Sequence, residues 1–69
     1  MNRTTVQSSN IASIGYDATI LVLEIEFTNG SIYQYLDVPQ HVFESLMSAP
    51  SKGQFFSTQV KGSYRYLRV

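Results

Sequence analysis

The Tyr33-Gln34-Tyr35 triplet is the first place where residue type and spacing suggest chemistry. On a strand, positions i and i+2 share a face, and two neighbouring tyrosines make a flat platform on which unstacked bases can lie. The same pattern suits a half-exposed sheet face with no ligand at all, because tyrosine is favoured there. Ser51-Lys52-Gly53 has the form of a helix start. Its free N–H groups and positive dipole end, with Lys52 beside them, suit an anion, and simple capping explains the same residues. Glu24 and Glu26 share a strand face and read as a solvated outer surface.

Catalytic signals are absent. His41 is the single histidine, on the first turn of an expected helix, and no acid or second histidine stands at ligand or relay spacing from it. An exposed surface histidine is the ordinary reading. None of the serines sits in a nucleophile elbow, and there is no glycine-rich phosphate loop. With no cysteine in the chain, thiolate metal sites and disulfides are excluded together. The expectation is a protein that is not an enzyme and uses no cofactor and no metal.

The elements that position these residues follow from periodicity. Residues 1–8 are polar, without period, and are expected to be a flexible N-terminus. Ser9 to Tyr16 reads as a strand, Asp17-Ala18-Thr19 as a turn, and Ile20 to Thr28 as the clearest strand. Asn29-Gly30 then gives a strong hairpin signal, since a two-residue type I′ turn needs positive φ at both positions. Ser31 to Val38 returns as the partner strand.

Such a turn places Phe27 opposite Ile32, Glu26 opposite Tyr33, Glu24 opposite Tyr35 and Leu23 opposite Leu36. One face then carries Leu21, Leu23, Ile25, Phe27, Ile32, Leu36 and Val38 and is the core side. The other carries Glu24, Glu26, Tyr33 and Tyr35. A one-residue bulge changes the pairing throughout.

Pro39 suits a first helical position, and Val42, Phe43, Leu46 and Met47 line one stripe before Pro50 stops the helix. Ser51 restarts it, in a capping box with Gln54. Phe55, Phe56 and Val60 supply the buried side of this second helix, with Gly62 as its C-terminal cap. Ser63 to Val69 alternates Tyr64, Tyr66 and Arg68 against Arg65, Leu67 and Val69, and reads as a last strand.

Sixty-nine residues allow one domain. An apolar fraction of 43% with 14% charged residues fits a folded globule. No apolar run is long enough to span a bilayer, and the N-terminus has no signal-peptide core, so a cytoplasmic protein without membrane contact is expected. The formal net charge is zero, unevenly spread. Residues 1–50 hold five acids against Arg3 alone, and residues 51–69 hold Lys52, Lys61, Arg65 and Arg68 with no acid. Two halves attracting each other explain this as well as a basic binding face does.

Several fragments in order carry a resemblance: Ser9-Asn10-Ile11, Gly15-Tyr16-Asp17, the run from Leu23 to Gly30, Tyr33-Gln34-Tyr35, Val38-Pro39, and Ala49 through Phe56. Together, over about Ser9 to Arg68, they resemble the KTSC domain, named for a segment at the C-terminus of some lysyl-tRNA synthetases and found also as a free-standing bacterial protein. The resemblance implies an RNA-related role, brings no catalytic residues, and draws attention to the central Tyr-x-Tyr.

The resulting expectation is α+β: an antiparallel three-stranded meander, two short helices, and a C-terminal strand, with residues 9–69 as the single domain. In function, a small RNA-binding accessory module leads, with Tyr33, Tyr35, Lys52, Lys61, Arg65 and Arg68 as its candidate contacts. The alternative is a protein-interaction or self-associating module, a homodimer included. A patch joining Tyr33, Tyr35, Tyr64 and Tyr66 to Arg65 and Arg68 favours RNA. An apolar exposed edge, with the basic residues already paired to acids, favours protein.

Overall fold

Five strands run antiparallel in chain order: β1 (Arg3–Thr5), β2 (Ile11–Asp17), β3 (Val22–Phe27), β4 (Ile32–Tyr35) and β5 (Tyr66–Arg68). Helices α1 (Gln40–Ser48) and α2 (Lys52–Phe55) lie between β4 and β5, and α2 continues as a π-helical turn over Phe56–Val60. The structure is a computed structural model and describes residues 1–69. The α+β class and the meander β2-β3-β4 agree with expectation. The sheet is wider than three strands because β1 adds to one edge and β5 to the other. Arg3–Thr5 falls within the segment expected to be flexible, and its register is Arg3 to Gly15 and Thr5 to Ser13.

Hairpin register is the main correction. Ile25 stands opposite Tyr33, Glu24 opposite Gln34, and Leu23 opposite Tyr35. The turn is three residues long, not two. Gly30 N–H donates to Phe27 O at 2.9 Å, Phe27 N–H donates to Ser31 O at 2.8 Å, and only Gly30 takes positive φ, at 91°. That is a type I turn closed by a glycine bulge, so Asn29 keeps ordinary φ. Its side chain instead accepts from Ser31 N–H at 2.9 Å. One residue of slip exchanges the faces of β4. Tyr33 and Tyr35 join Leu23, Ile25 and Phe27 on the helix-covered face, and Ile32 and Gln34 turn outward.

The core consists of Ile11, Ile14, Leu23, Ile25, Tyr35, Val38, Leu46, Phe56 and Val60. A register shift between Ile11 and Ser13 lets both isoleucines of β2 face inward although they are three residues apart. Leu21, expected in the core, is exposed with φ at 57° and closes the turn after β2. Asp17 accepts from Thr19 N–H at 2.9 Å in that turn, and Leu21 O accepts from Val38 N–H at 2.9 Å.

Proline and serine punctuation was read correctly to within a residue. Pro39 is the N-cap of α1, one place earlier than expected. Ser51 caps α2, its hydroxyl accepting from Gln54 N–H at 3.2 Å. Ser51→Ala is expected to cost ~1 kcal/mol through that lost cap, seen as a lower urea midpoint at unchanged slope. Gly62 does not adopt the left-handed cap conformation. The helix ends instead through its π turn, Lys61 N–H donating to Phe56 O at 2.9 Å, while the Thr58 hydroxyl donates to Gln54 O at 3.0 Å.

Candidate nucleic-acid interface

The corrected register builds an aromatic groove along β4 and β5. Tyr35 is cross-strand from Tyr66, and Tyr33 from Arg68, so all four side chains share one face. Phe27 joins them from β3 and Phe56 from the start of the π turn. Tyr33 meets Phe27 edge-on at 5.8 Å and Tyr66 at 5.6 Å; Tyr35 meets Phe56 edge-on at 5.3 Å and Tyr66 at 5.7 Å. These five rings wall an open hollow of about 410 Å³. Tyr35 and Phe56 are its buried floor, each 4% exposed, and Tyr66 is its outer lip at 57%.

The charge around the hollow is positive. Lys61 lines it, carried there by the π turn, and Arg68 lies over the Tyr33 ring at 6.0 Å while donating to Ser31 Oγ at 3.3 Å. No acidic side chain lines the groove. The glutamates that the expected register put beside the tyrosines are on the opposite face, and Glu24 is not solvated. It is buried, accepting from Gln34 Nε2 at 2.8 Å and from Arg3 Nη1. Arg3 Nε donates to Ser13 Oγ at 3.0 Å, and Ser13 in turn donates to Glu26 Oε1 at 2.8 Å. This polar ladder ties four strands together behind the groove. Gly15 makes room for it: a Cβ there would stand 2.6 Å from Asn2 O and 3.0 Å from Arg3 Cγ.

Of the six candidate contacts, four gather: Tyr33, Tyr35, Lys61 and Arg68. Arg65 is an exposed ion pair with Asp37 at 2.9 Å, and Lys52 bonds the Ala49 carbonyl at 3.3 Å beside the start of α2. Tyr64 packs against the core margin, apart from the groove. Sequence reading missed Phe27 and Phe56 as groove walls, having assigned both to core. The signal was their aromatic type flanking the Tyr-x-Tyr strand in space, which requires the correct register. His41 is exposed, and no group of three metal-ligating side chains forms around it.

Burial pushes the Tyr35 phenol up to about 12, helped by the neighbouring Tyr33 and Tyr66. Its proton is therefore bound more tightly in the folded chain than in the unfolded one. The associated stability is complete below about pH 10 and is lost as pH rises toward 12. Tyr35→Phe should flatten that alkaline limb, measured as urea midpoint against pH, and should leave the midpoint at pH 7 nearly unchanged.

Comparison with known proteins decides the family. The profile of the KTSC domain matches residues 7–64. The chain belongs to the KTSC domain family. The crystal structure of a KTSC domain protein from Yersinia pestis superposes with a TM-score of 0.94 at 45% identity, covering 99% of this chain and 96% of that one. An uncharacterized protein of Stutzerimonas stutzeri is 41% identical over 100% of this chain and 99% of its own length. A lysine–tRNA ligase of Nostoc is 45% identical over 87% of this chain, which spans only 11% of the ligase. No helix of this KTSC protein is long and apolar enough to cross a membrane.

Proposed function

We propose that this KTSC domain is a non-catalytic module that binds single-stranded RNA, seating an unstacked base in the groove beside Tyr33 and Tyr66. One observation carries the reading: the five-ring wall has Lys61 and Arg68 as its neighbouring charges and no acid. Base stacking on such rings supplies affinity, and the two cations suit the flanking phosphates. Membership of a family that also forms part of lysine–tRNA ligases supports an RNA context.

Anisotropy of a labelled single-stranded RNA pool at about 50 mM salt should report micromolar binding that weakens as salt rises. Tyr33→Ala should weaken it by about tenfold, within the range of one lost stacking contact. Arg68→Ala should weaken all sequences alike and flatten the salt dependence. No change in anisotropy up to about 100 µM protein, well beyond the micromolar constants that a stacking groove implies, overturns the reading.

A second reading, self-association or capture of a protein along β5, is favoured by Leu67 and Val69, which are 53% and 62% exposed beside the sheet edge. It predicts a dimer or a bound partner that survives ribonuclease, and no RNA titration.

A further inference from the structure

We infer that the groove distinguishes the bases it binds, favouring those with a carbonyl at pyrimidine position 4 or purine position 6 (uracil and guanine) over those with an amine there (cytosine and adenine). The inference rests on the RNA-binding reading and concerns the hydrogen-bonding character of the groove's rim. Two asparagines, Asn10 and Asn29, line the hollow together with Lys61. The folded backbone dictates the orientation of both side-chain amides.

At Asn29 the side chain accepts from Ser31 N–H at 2.9 Å. An N–H can only donate, so the atom it meets is the carbonyl Oδ1 and the amide NH₂ is the free end. At Asn10 the Ser8 hydroxyl sets the orientation. The Ser8 hydroxyl oxygen accepts from Ile11 N–H at 3.4 Å and from Asn10 N–H at 3.5 Å, so its own hydrogen is left to donate to Asn10 Oδ1 at 3.1 Å. Both carbonyl oxygens are thus engaged within the chain, and both NH₂ groups have no partner in it.

The remaining directional groups have the same sense. Lys61 is a donor only, and so is Arg68 above Tyr33. No carboxylate lines the groove to accept a hydrogen bond, and the hydroxyls can rotate to either role. A ring stacked on Tyr33 or Tyr66 therefore meets a rim of fixed donors. A carbonyl at position 4 of a pyrimidine or position 6 of a purine accepts from it. An amine at the same position sets donor against donor, so the exposed amides keep their water and gain no bond from the base.

The test compares labelled heptauridine and heptacytidine RNAs, equal in charge and length, by anisotropy with the 69-residue chain. Heptauridine should bind about five- to tenfold more tightly, the lower part of the range for one base-edge contact. Asn29→Asp is the decisive variant. Aspartate keeps the oxygen that accepts from Ser31 N–H and replaces the NH₂ with an acceptor, so the turn is retained. Its added charge weakens both RNAs, whereas the ratio reports the edge contact. The ratio should fall to about one or invert. Equal affinity of the wild-type chain for the two RNAs overturns base selectivity and leaves the RNA-binding reading intact. A uridine preference that Asn29→Asp does not change overturns the assignment to this rim. Failure of both heptamers and of the mixed pool to bind rejects the RNA-binding reading itself.

Discussion

Leu46→Ala should leave the protein largely unfolded at 37 °C. Helix α1 has no side-chain cap hydrogen bond, no acid in its first turn and no base in its last. At nine residues it has no stability of its own in water. It stays helical because it docks, and Leu46, 0% exposed, is its only fully buried side chain. Removing a leucine side chain from such a site costs about 3–5 kcal/mol, the lost transfer energy adding to that of the cavity left behind. A domain of this size has little more than that to lose. Urea titration followed by circular dichroism should show a midpoint near zero at 37 °C. A midpoint within about 1 M of the wild-type value would show that Val42, Phe43 and Met47 suffice to hold the helix.

Arg3→Ala is expected to cost about 2–3 kcal/mol at pH 7, somewhat below the range for breaking a fully buried pair because the arginine is itself 27% exposed. The variant leaves the buried Glu24 carboxylate with Gln34 as its remaining side-chain donor and releases β1 from the polar ladder. In the intact protein the Glu24 carboxyl is held below the usual carboxylate range, chiefly by the Gln34 hydrogen bond. Burial opposes this, and Arg3 adds both a hydrogen bond and its charge. A depressed folded pKa means that this stability is present above the ordinary carboxylate pKa and is lost as pH falls through the folded one. The gap between wild type and Arg3→Ala should therefore narrow as pH falls below the ordinary carboxylate range and Glu24 is progressively protonated. An equal gap at pH 7 and pH 3 would assign the role of Arg3 to packing over Gly15 and not to charge.

Much of this architecture was legible because it depends on neighbours in sequence. Pro39 and Pro50 bound one helix, Ser51 starts the next, and the alternation after Ser63 places Tyr66 and Arg68 on one face of β5. Each rests on a local rule: a missing N–H, a hydroxyl within reach of an N–H three residues on, or a period of two. The composition also located the basic residues correctly in the last third of the chain, although only Arg65 among them meets an acid.

The groove was decided elsewhere. Thr28-Asn29-Gly30 can close a two-residue or a three-residue turn at similar local cost, and nothing near the turn selects between them. The choice falls to what β4 buries. In the observed register Tyr35 packs on Phe56, and Tyr33 packs on Phe27 and Tyr66. Phe56 comes from the π turn, 21 residues beyond Tyr35, and Tyr66 from a strand at the far end of the chain. Burying two large rings against them outweighs burying Ile32 and Leu36. The same distance hid the role of Glu24, whose arginine lies 21 residues away on a strand with no periodic signal. Sequence alone therefore determined the order of the central strands, the two helices and the last strand, and which residues are aromatic or basic. Tertiary packing determined which face the tyrosines share, because a slip of one residue costs the turn little and inverts the whole strand.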